Sequence, residues 1–152
     1  MGRTKPIVDN AYVAGLTDGE GCFYVQVRKS SAYRAGHTVH LHFHIKMQER
    51  DKDLLEKIRN TVGCGAVYMQ KETRPNHCQC YRYTVSAQRD ILEIVIPFFR
   101  KYPLQTASKR QNFELFCKVG DLVKQKAHLS EQGIEAIRKI KSLMNQRTVG
   151  LA

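Results

Sequence analysis

Acidic side chains are scarce in this sequence. The 152 residues include 14 Asp and Glu against 25 Lys and Arg, which gives a formal net charge of +11. Such an excess of positive charge predicts a polyanionic partner, either nucleic acid or an acidic membrane surface. An apolar run long enough to span a bilayer is missing, and so is a secretory signal pattern. We therefore expect an intracellular protein, in a bacterial cytoplasm or an organelle matrix, with no membrane partner.

Cysteines are few and do not form a disulfide framework. Their number is five, an odd count, and their spacing is irregular. Such usage is typical of a reducing compartment rather than of a secreted protein. The sequence also contains no low-complexity tract and no linker, and its length suits one hydrophobic core. These features predict a single domain over residues 1–152.

The spacing of apolar residues alternates along the chain between the helical period and the strand period. Two pairs of alternating segments predict hairpins, the second of them around a turn at 74–76. Pro97 or Pro103 is expected to end the helix that follows, and Ser130 to cap the last helix. The predicted elements are helix 10–20, strands 22–29 and 37–47, helix 51–63, strands 64–72 and 77–87, and helices 89–102, 109–126 and 130–146. This order predicts an α+β fold, α-β-β-α-β-β-α with additional C-terminal helices.

The segment AYVAGLTDGEGCF, residues 11–23, combines a helical pattern with small residues and two acids. Gly15 and Gly19 are four residues apart on one helical face, a spacing that lets another backbone approach closely. Glu20 ends the helix, where a carboxylate beside free carbonyl groups suits a hard divalent cation such as Mg²⁺. A single carboxylate is a poor metal site, whereas two such helices packed together would supply two. The face predicted to pack comprises Ala11, Ala14, Gly15, Asp18 and Gly19.

The same segment carries a resemblance to a known family. The stretch YVAGLTDGEG, residues 12–21, resembles the motif of the LAGLIDADG homing endonucleases, and the order of helices and strands extends the resemblance to most of the chain. The resemblance implies a four-stranded antiparallel DNA-binding saddle and a site-specific, intron-encoded endonuclease. Such an enzyme makes a double-strand break with 3′ overhangs and requires Mg²⁺, for which Mn²⁺ can substitute.

One copy of the motif is present in the chain. Family members with one copy form homodimers whose motif helices pack at a two-fold axis, so the resemblance implies a homodimer. A two-fold interface presents the same patch from each subunit. A long, near-palindromic site in double-stranded DNA is therefore expected.

The resemblance also implies roles for the acids of the motif. The family's metal ligand is the acid at the eighth motif position, which falls here on Glu20. Gly19, the preceding residue, is assigned to the same metal site. Asp18 matches the other acid of the motif, whose role in the family is mainly structural.

The resemblance also implies two accessory catalytic positions, each of which can be aligned with either of two neighbouring residues. A glutamine that organises active-site water falls on Met47 or, after a shift of one residue, on Gln48. A basic residue that acts near the scissile phosphate falls first on Lys109 and second on Arg110. The catalytic set is therefore predicted as Glu20, Gln48 and Lys109.

Polar side chains occupy one face of the predicted sheet. Arg and Gln can read guanine and adenine edges in the major groove, while Lys and loop arginines suit phosphates. On one side of a basic protein, such residues form a groove for double-stranded DNA. They are Tyr24, Gln26, Arg28, His40, His42, His44, Lys46, Tyr68, Gln70, Arg82 and Thr84 on the strands, with Arg34 and Arg74 in the loops.

Histidines and cysteines suggest a zinc site as an alternative. His40, His42 and His44 alternate along one strand, and Cys78 and Cys80 lie further along the chain. Neither HLHFH nor CQC has the ligand spacing of a structural zinc site. Imidazoles that face DNA fit this pattern better.

Two other functions are compatible with the same fold. A maturase would bind intron RNA and assist the splicing of a group I intron, and a regulator would bind DNA without cleaving it. Glu20 argues against the regulator, because a carboxylate beside the phosphates repels them. The maturase stays open as an alternative, with intron RNA as its partner.

Overall fold

A computed structural model describes residues 3–146 of the chain, so the predicted domain 1–152 extends beyond the described part at both ends. The first half comprises α1 (Asn10–Glu20), β1 (Gly21–Lys29), β2 (His37–Gln48), α2 (Lys52–Val62), β3 (Ala66–Gln70) and β4 (Cys80–Val85). The second half comprises α3, built from the consecutive segments Gln88–Asp90, Ile91–Val95 and Ile96–Lys101, then α4 (Ala107–Lys124) and α5 (Glu131–Leu143). Single 3₁₀ turns precede α2 and α5. The predicted α+β order is confirmed.

The four strands form one antiparallel sheet in the order β1-β2-β4-β3. β1 pairs with β2 along its whole length, from Gly21 opposite Ile45 to Lys29 opposite His37. The second hairpin joins the first through β4, whose Val85 lies opposite Phe43 of β2. Pairing between the central strands β2 and β4 therefore holds the two predicted hairpins in one continuous surface.

Helices cover one face of the sheet and leave the other face free. Phe23 of β1 is fully buried and its ring lies 5.1 Å from Phe43 and 5.2 Å from Phe116 of α4. Phe99 of α3 contacts the same two strand residues edge-on. The apolar positions of the predicted alternation thus point into the core, as period two requires when one face is buried. The polar positions are left on the opposite face.

The second hairpin is shorter than the sequence suggests. Its strands were predicted over 64–72 and 77–87, but the paired residues are Ala66–Gln70 and Cys80–Val85. The first strand starts late because Gly65 has a φ of +85° and leaves no room for a side chain beside the Thr84 carbonyl. The loop between the strands is held instead by Gln79, whose side-chain oxygen accepts the Glu72 N–H at 3.1 Å.

Of the two predicted stops for the third helix, Pro97 is the wrong one. α3 passes through Pro97 and ends at Lys101, two residues before Pro103. The segment Ile91–Val95 is a π-helical turn, after which Pro97 lies in the first turn of a new α-helical segment. The Ile96 N–H bonds to the Ile91 carbonyl, five residues back, so the hydrogen-bond ladder has already changed to the π pattern where Pro97 supplies no N–H.

The last two helices differ from prediction only at their ends. α4 starts two residues earlier than expected, and α5 ends at Leu143 rather than at 146. Ser130 caps α5 as predicted, since its hydroxyl oxygen accepts the Gly133 N–H at 3.0 Å. Among residues 3–146, no helix has the length and apolar character needed to cross a membrane.

Candidate nucleic-acid interface and active site

The free face of the sheet carries its polar side chains in cross-strand rows. The strand register places Tyr24 opposite His42, and Gln26 opposite His40. Further along the sheet, Lys46 lies opposite Arg82, which in turn lies opposite Tyr68. Side chains in directly opposite positions are close neighbours. The remaining groove residues of the prediction lie on the same face, in register as Arg28 with Thr38, His44 with Thr84, and Gln70 with Cys80.

Several polar atoms on this face have no partner within the protein. Arg82 Nε, Thr84 Oγ1 and Gln70 Oε1 are buried and unbonded, and together they are three of the four such side-chain atoms found in residues 3–146. Buried polar groups in proteins are almost always hydrogen-bonded. All three lie on β3 and β4, the half of the face that the second hairpin supplies.

Two histidines of β2, His42 and His44, have lowered pKa values. Burial lowers the pKa of His44 to about 4, and Arg82 is the strongest of the nearby charges that act in the same direction. Burial also lowers the pKa of His42, with smaller contributions from His40 and Arg28. A neutral imidazole offers one donor and one acceptor. These two side chains are thus suited to base edges more than to phosphates.

The two loop arginines differ in their availability. Arg34 is exposed in the loop between β1 and β2. Arg74 is paired with Glu72 through two contacts, Nε to Oε1 at 2.8 Å and Nη2 to Oε2 at 3.2 Å. The hydrogen bond from Arg74 lowers the pKa of Glu72 to about 2. A phosphate would therefore have to compete with Glu72 for Arg74.

The end of α1 passes directly into β1 at Gly21. A Cβ at this position would lie 2.5 Å from Thr17 Cγ2 and 2.8 Å from the Thr17 carbonyl oxygen, so only glycine fits. Thr17 is itself fully buried, and its hydroxyl donates to the Val13 carbonyl at 2.7 Å. This tight junction leaves Glu20, the last residue of α1, exposed at the edge of the polar face.

Lys109 and Arg110 reach in different directions from the first turn of α4. The Lys109 ammonium donates to the carbonyl oxygen of Gly21, the residue after Glu20. Arg110 donates to the carbonyl oxygens of Leu104 at 3.3 Å and of the next residue at 3.4 Å. Of the two basic candidates, Lys109 is the one whose side chain reaches the junction of α1 and β1, at the residue after Glu20.

Met47 and Gln48 lie on opposite faces of β2. Met47 is partly buried and packs against the core. Gln48 is exposed and shares its face with Lys46, because residues two apart on a strand point the same way. Gln48 is therefore the candidate on the polar face.

Asp18 bonds to its own chain. Its carboxylate accepts the Gln105 N–H at 2.9 Å, and the backbone N–H and hydroxyl of Thr106 at 3.1 and 3.0 Å. Burial raises the pKa of Asp18, but these hydrogen bonds and the charge of Lys109 outweigh it and leave the pKa below its ordinary value. The carboxylate is therefore ionised at neutral pH.

The small-residue face of α1 is mostly open. No atom lies within 4 Å of a Cβ built at Gly15 or Gly19, and Ala11 is exposed. Ala14 is only 5% exposed, since its own chain covers it. In the described part of the chain, no three His, Cys, Asp or Glu residues come together as metal ligands. One chain thus offers a metal the Glu20 carboxylate and nearby backbone carbonyls such as that of Gly19.

Two basic residues missed in the sequence also border the polar face. The Lys141 ammonium lies 5.4 Å from the centre of the Tyr24 ring, and Arg138 Nη2 lies 2.7 Å from His37 Nε2. Both belong to α5, which is anchored at the edge of β1 by a hydrogen bond from Asn145 to the Phe23 carbonyl at 3.1 Å. Nothing in the local sequence of α5 signals this position, which depends on packing between distant segments.

Comparison with known proteins places these features in a family. The family model described as LAGLIDADG endonuclease matches residues 13–120. The 50.9 kDa protein in ND4 intron 1 of Podospora anserina is 33% identical over 132 residues, which are 84% of this chain and 28% of that protein. Probable intron-encoded endonuclease 3 of Neurospora crassa is 29% identical over 133 residues, 87% of this chain and 24% of that protein. The chain thus spans about a quarter of the length of these relatives.

Solved structures agree with these relatives. The homing endonuclease I-TnaI is 32% identical with a TM-score of 0.81, covering 92% of this chain and 90% of that one. The LAGLIDADG homing endonuclease I-LtrWI, bound to target DNA, is 35% identical with a TM-score of 0.84, covering 91% of this chain and 45% of that one. From its motif, its fold and these matches, the chain belongs to the LAGLIDADG endonuclease family.

Proposed function

We propose that this chain is the DNA-binding and catalytic unit of a site-specific homing endonuclease. Its substrate is a long, near-palindromic site in double-stranded DNA, and its product is a double-strand break with 3′ overhangs. Relatives of this chain are named probable intron-encoded endonucleases, and the proposal assigns the same activity to this protein. The alternative of an RNA maturase uses the same fold and differs in its nucleic acid.

One observation carries the proposal. The polar face of the sheet, with its unbonded Arg82, Thr84 and Gln70 atoms, leads directly to an exposed carboxylate at Glu20 and a cation at Lys109. A basic surface explains DNA binding by itself. A carboxylate beside the phosphate path adds repulsion, which a binding protein has no reason to keep and a metal-dependent nuclease needs.

The donor set at the end of α1 fits Mg²⁺. Glu20 supplies a carboxylate and the last turn of α1 supplies carbonyl oxygens, including that of Gly19, and hard cations prefer such ligands. When bound, the metal ion would neutralise negative charge at the scissile phosphate. Mn²⁺ has similar ligand preferences and would substitute. One chain is an incomplete site, which fits a metal held between two motif helices.

Lys109 and Gln48 supply the other functions of the site. The Lys109 ammonium, held at the Gly21 carbonyl, places a positive charge where charge develops during attack on the phosphodiester. Gln48 projects from the polar face and would orient the attacking water through its amide. The in-line geometry of attack is set by the DNA, which the sheet holds in place.

The open face of α1 supports association of two copies. Gly15 and Gly19 have empty space beside them, and Ala11 extends the same face. A second motif helix fills this space and brings a second Glu20 close to the first. Since each copy then faces one DNA strand, the two cuts are made by equivalent sites.

Cleavage of DNA that carries the intron-less insertion site tests the proposal. Glu20→Gln should abolish cleavage while specific DNA affinity stays within about tenfold, because the groove is unchanged. Glu114→Gln is the matched control, since it removes the same charge from an exposed position on α4. Chelation by EDTA should stop the wild-type protein.

Three results would each contradict a part of the proposal. Cutting by the Glu20→Gln variant at the wild-type rate would show that Glu20 is not a catalytic residue. Cutting in EDTA would show that cleavage does not require a metal ion. Failure of the wild-type protein to cut, together with tight binding to intron RNA and faster splicing, would favour the maturase.

A further inference from the structure

The start of α4 has an unfavourable distribution of charge. Its first turn contains no acidic residue, and Lys109 and Arg110 are its third and fourth residues. Backbone dipoles make a helix N-terminus positive, so cations there are destabilising. The N-cap residue, Thr106, makes no capping bond with its own side chain. The helix therefore depends on another segment to stabilise its first turn.

Asp18, near the end of α1, stabilises the start of α4. Its ionised carboxylate lies at the two residues just before α4 and accepts the N–H groups of Gln105 and Thr106 and the Thr106 hydroxyl. It supplies the negative charge that the first turn of α4 lacks. The same carboxylate ties the start of α4 to the end of α1, two residues before Glu20.

We propose that Asp18 is a positioning residue for Lys109. By fixing the first turn of α4 against the last turn of α1, Asp18 holds the Lys109 ammonium at the Gly21 carbonyl beside Glu20. The inference rests on the proposed function, in which Lys109 acts at the scissile phosphate. A lysine side chain is long and flexible, so its reach depends on where the backbone places it. Misplacement of a catalytic group by about 1 Å can lower a rate by about 100-fold.

A measurement without DNA tests the geometry by itself. In the wild-type protein, the Lys109 ammonium should give a separate, slowly exchanging NMR signal because it is bonded to a carbonyl. Exposed Lys118 on the same helix provides the reference for a solvated ammonium. Asp18→Asn removes the negative charge and replaces one carboxylate oxygen by an amide donor, which would face the Gln105 N–H, so the Lys109 signal should shift to the position of Lys118. An unchanged Lys109 signal in this variant would overturn the proposal.

Cleavage under single-turnover conditions at saturating DNA tests the consequence. We expect Asp18→Asn to lower the rate by about 10- to 100-fold, while DNA affinity changes less than about threefold because the sheet is untouched. In a Lys109→Met background, Asp18→Asn should cause no further loss, because the two residues act as one unit. Equal losses in both backgrounds would show that Asp18 acts without Lys109, and would overturn the proposal.

A second cap and a milder variant separate positioning from stability. Ser130→Ala removes the cap of α5 and should lower the melting temperature with no change in cleavage rate. Thr106→Val keeps the shape of the side chain and removes one bond to Asp18, so its rate should lie between those of wild type and Asp18→Asn. If Lys109→Met cuts at the wild-type rate, the assigned role of Lys109 fails. The NMR result then still decides the geometry.

Discussion

Substitution of Gly15 is predicted to have opposite effects on folding and on association. Gly15 lies in the middle of α1, with no atom within 4 Å of an added Cβ. Alanine at this position therefore meets no clash within one chain. Because glycine in a helix interior is less favourable than alanine by about 1 kcal/mol, Gly15→Ala should raise the free energy of unfolding of the dissociated chain by about that amount.

The same change should weaken the pairing of two motif helices. The space beside Gly15 is what lets a second backbone approach, and any side chain there increases the separation of the helices. In the proposed homodimer, Gly15→Leu would place two bulky side chains at the two-fold axis. We expect its dissociation constant to rise at least about 100-fold, or about 2.7 kcal/mol, and cleavage of both strands to be lost.

Two measurements examine this prediction together. Urea unfolding at concentrations low enough to dissociate the protein gives the stability of one chain, and sedimentation at micromolar concentration gives its association. Gly21→Ala serves as the contrasting variant, since its Cβ would lie 2.8 Å from the Thr17 carbonyl oxygen and should destabilise the single chain by about 1–3 kcal/mol. Destabilisation of the dissociated chain by Gly15→Ala would refute the reasoning. The reasoning would also be refuted if the Gly15→Leu variant remained a dimer, or if the wild-type chain cut both strands as a monomer.

Three further predictions concern the polar face. The logarithm of DNA affinity should fall with the logarithm of salt at a slope steeper than about −3, at about 0.9 per phosphate neutralised, and a shallower slope would exclude a long tracked site. Arg28→Ala and Arg82→Ala should each relax base preference at single positions of a library of DNA sites, while Lys46→Ala should weaken binding to all sequences alike. An equal loss of affinity for all sequences in all three variants would mean that these residues contact only the DNA backbone. The pKa of His44 is lowered from 6.5 to about 4, so between these pH values the native state binds fewer protons than the unfolded state. The free protein should therefore lose stability as pH falls through this range, and urea unfolding at several pH values measures the loss.

Local sequence rules were sufficient for most of the secondary structure. Alternation along β1 and β2 is strict, so the buried and polar faces follow from period two alone. Gly63, with a φ of +93°, ends α2, and Ser130 caps α5, each through an interaction with its own neighbours. The error at Pro97 arises from a local feature that periodicity does not signal, since a π-helical turn precedes this residue and the helix continues to Lys101.

The motif likewise identified Glu20 and the open glycine face, because helix geometry sets which residues of one short segment lie together. The alternation of side chains along a strand already places Met47 towards the core and Gln48 on the polar face, as the structure shows. Lys109 and Arg110, by contrast, are adjacent in the first turn of one helix, and no local rule distinguishes them.

What the sequence by itself determined is therefore the set of elements, the two faces of the sheet and the acidic end of α1. Only the tertiary structure decided that Lys109 reaches Gly21, that Asp18 anchors α4, and that α5 brings Lys141 beside Tyr24. Each of these contacts joins segments about 90 or more residues apart. Local periodicity carries no information about such pairs, because they form only when the helices pack on the completed sheet and their long side chains span the remaining distance.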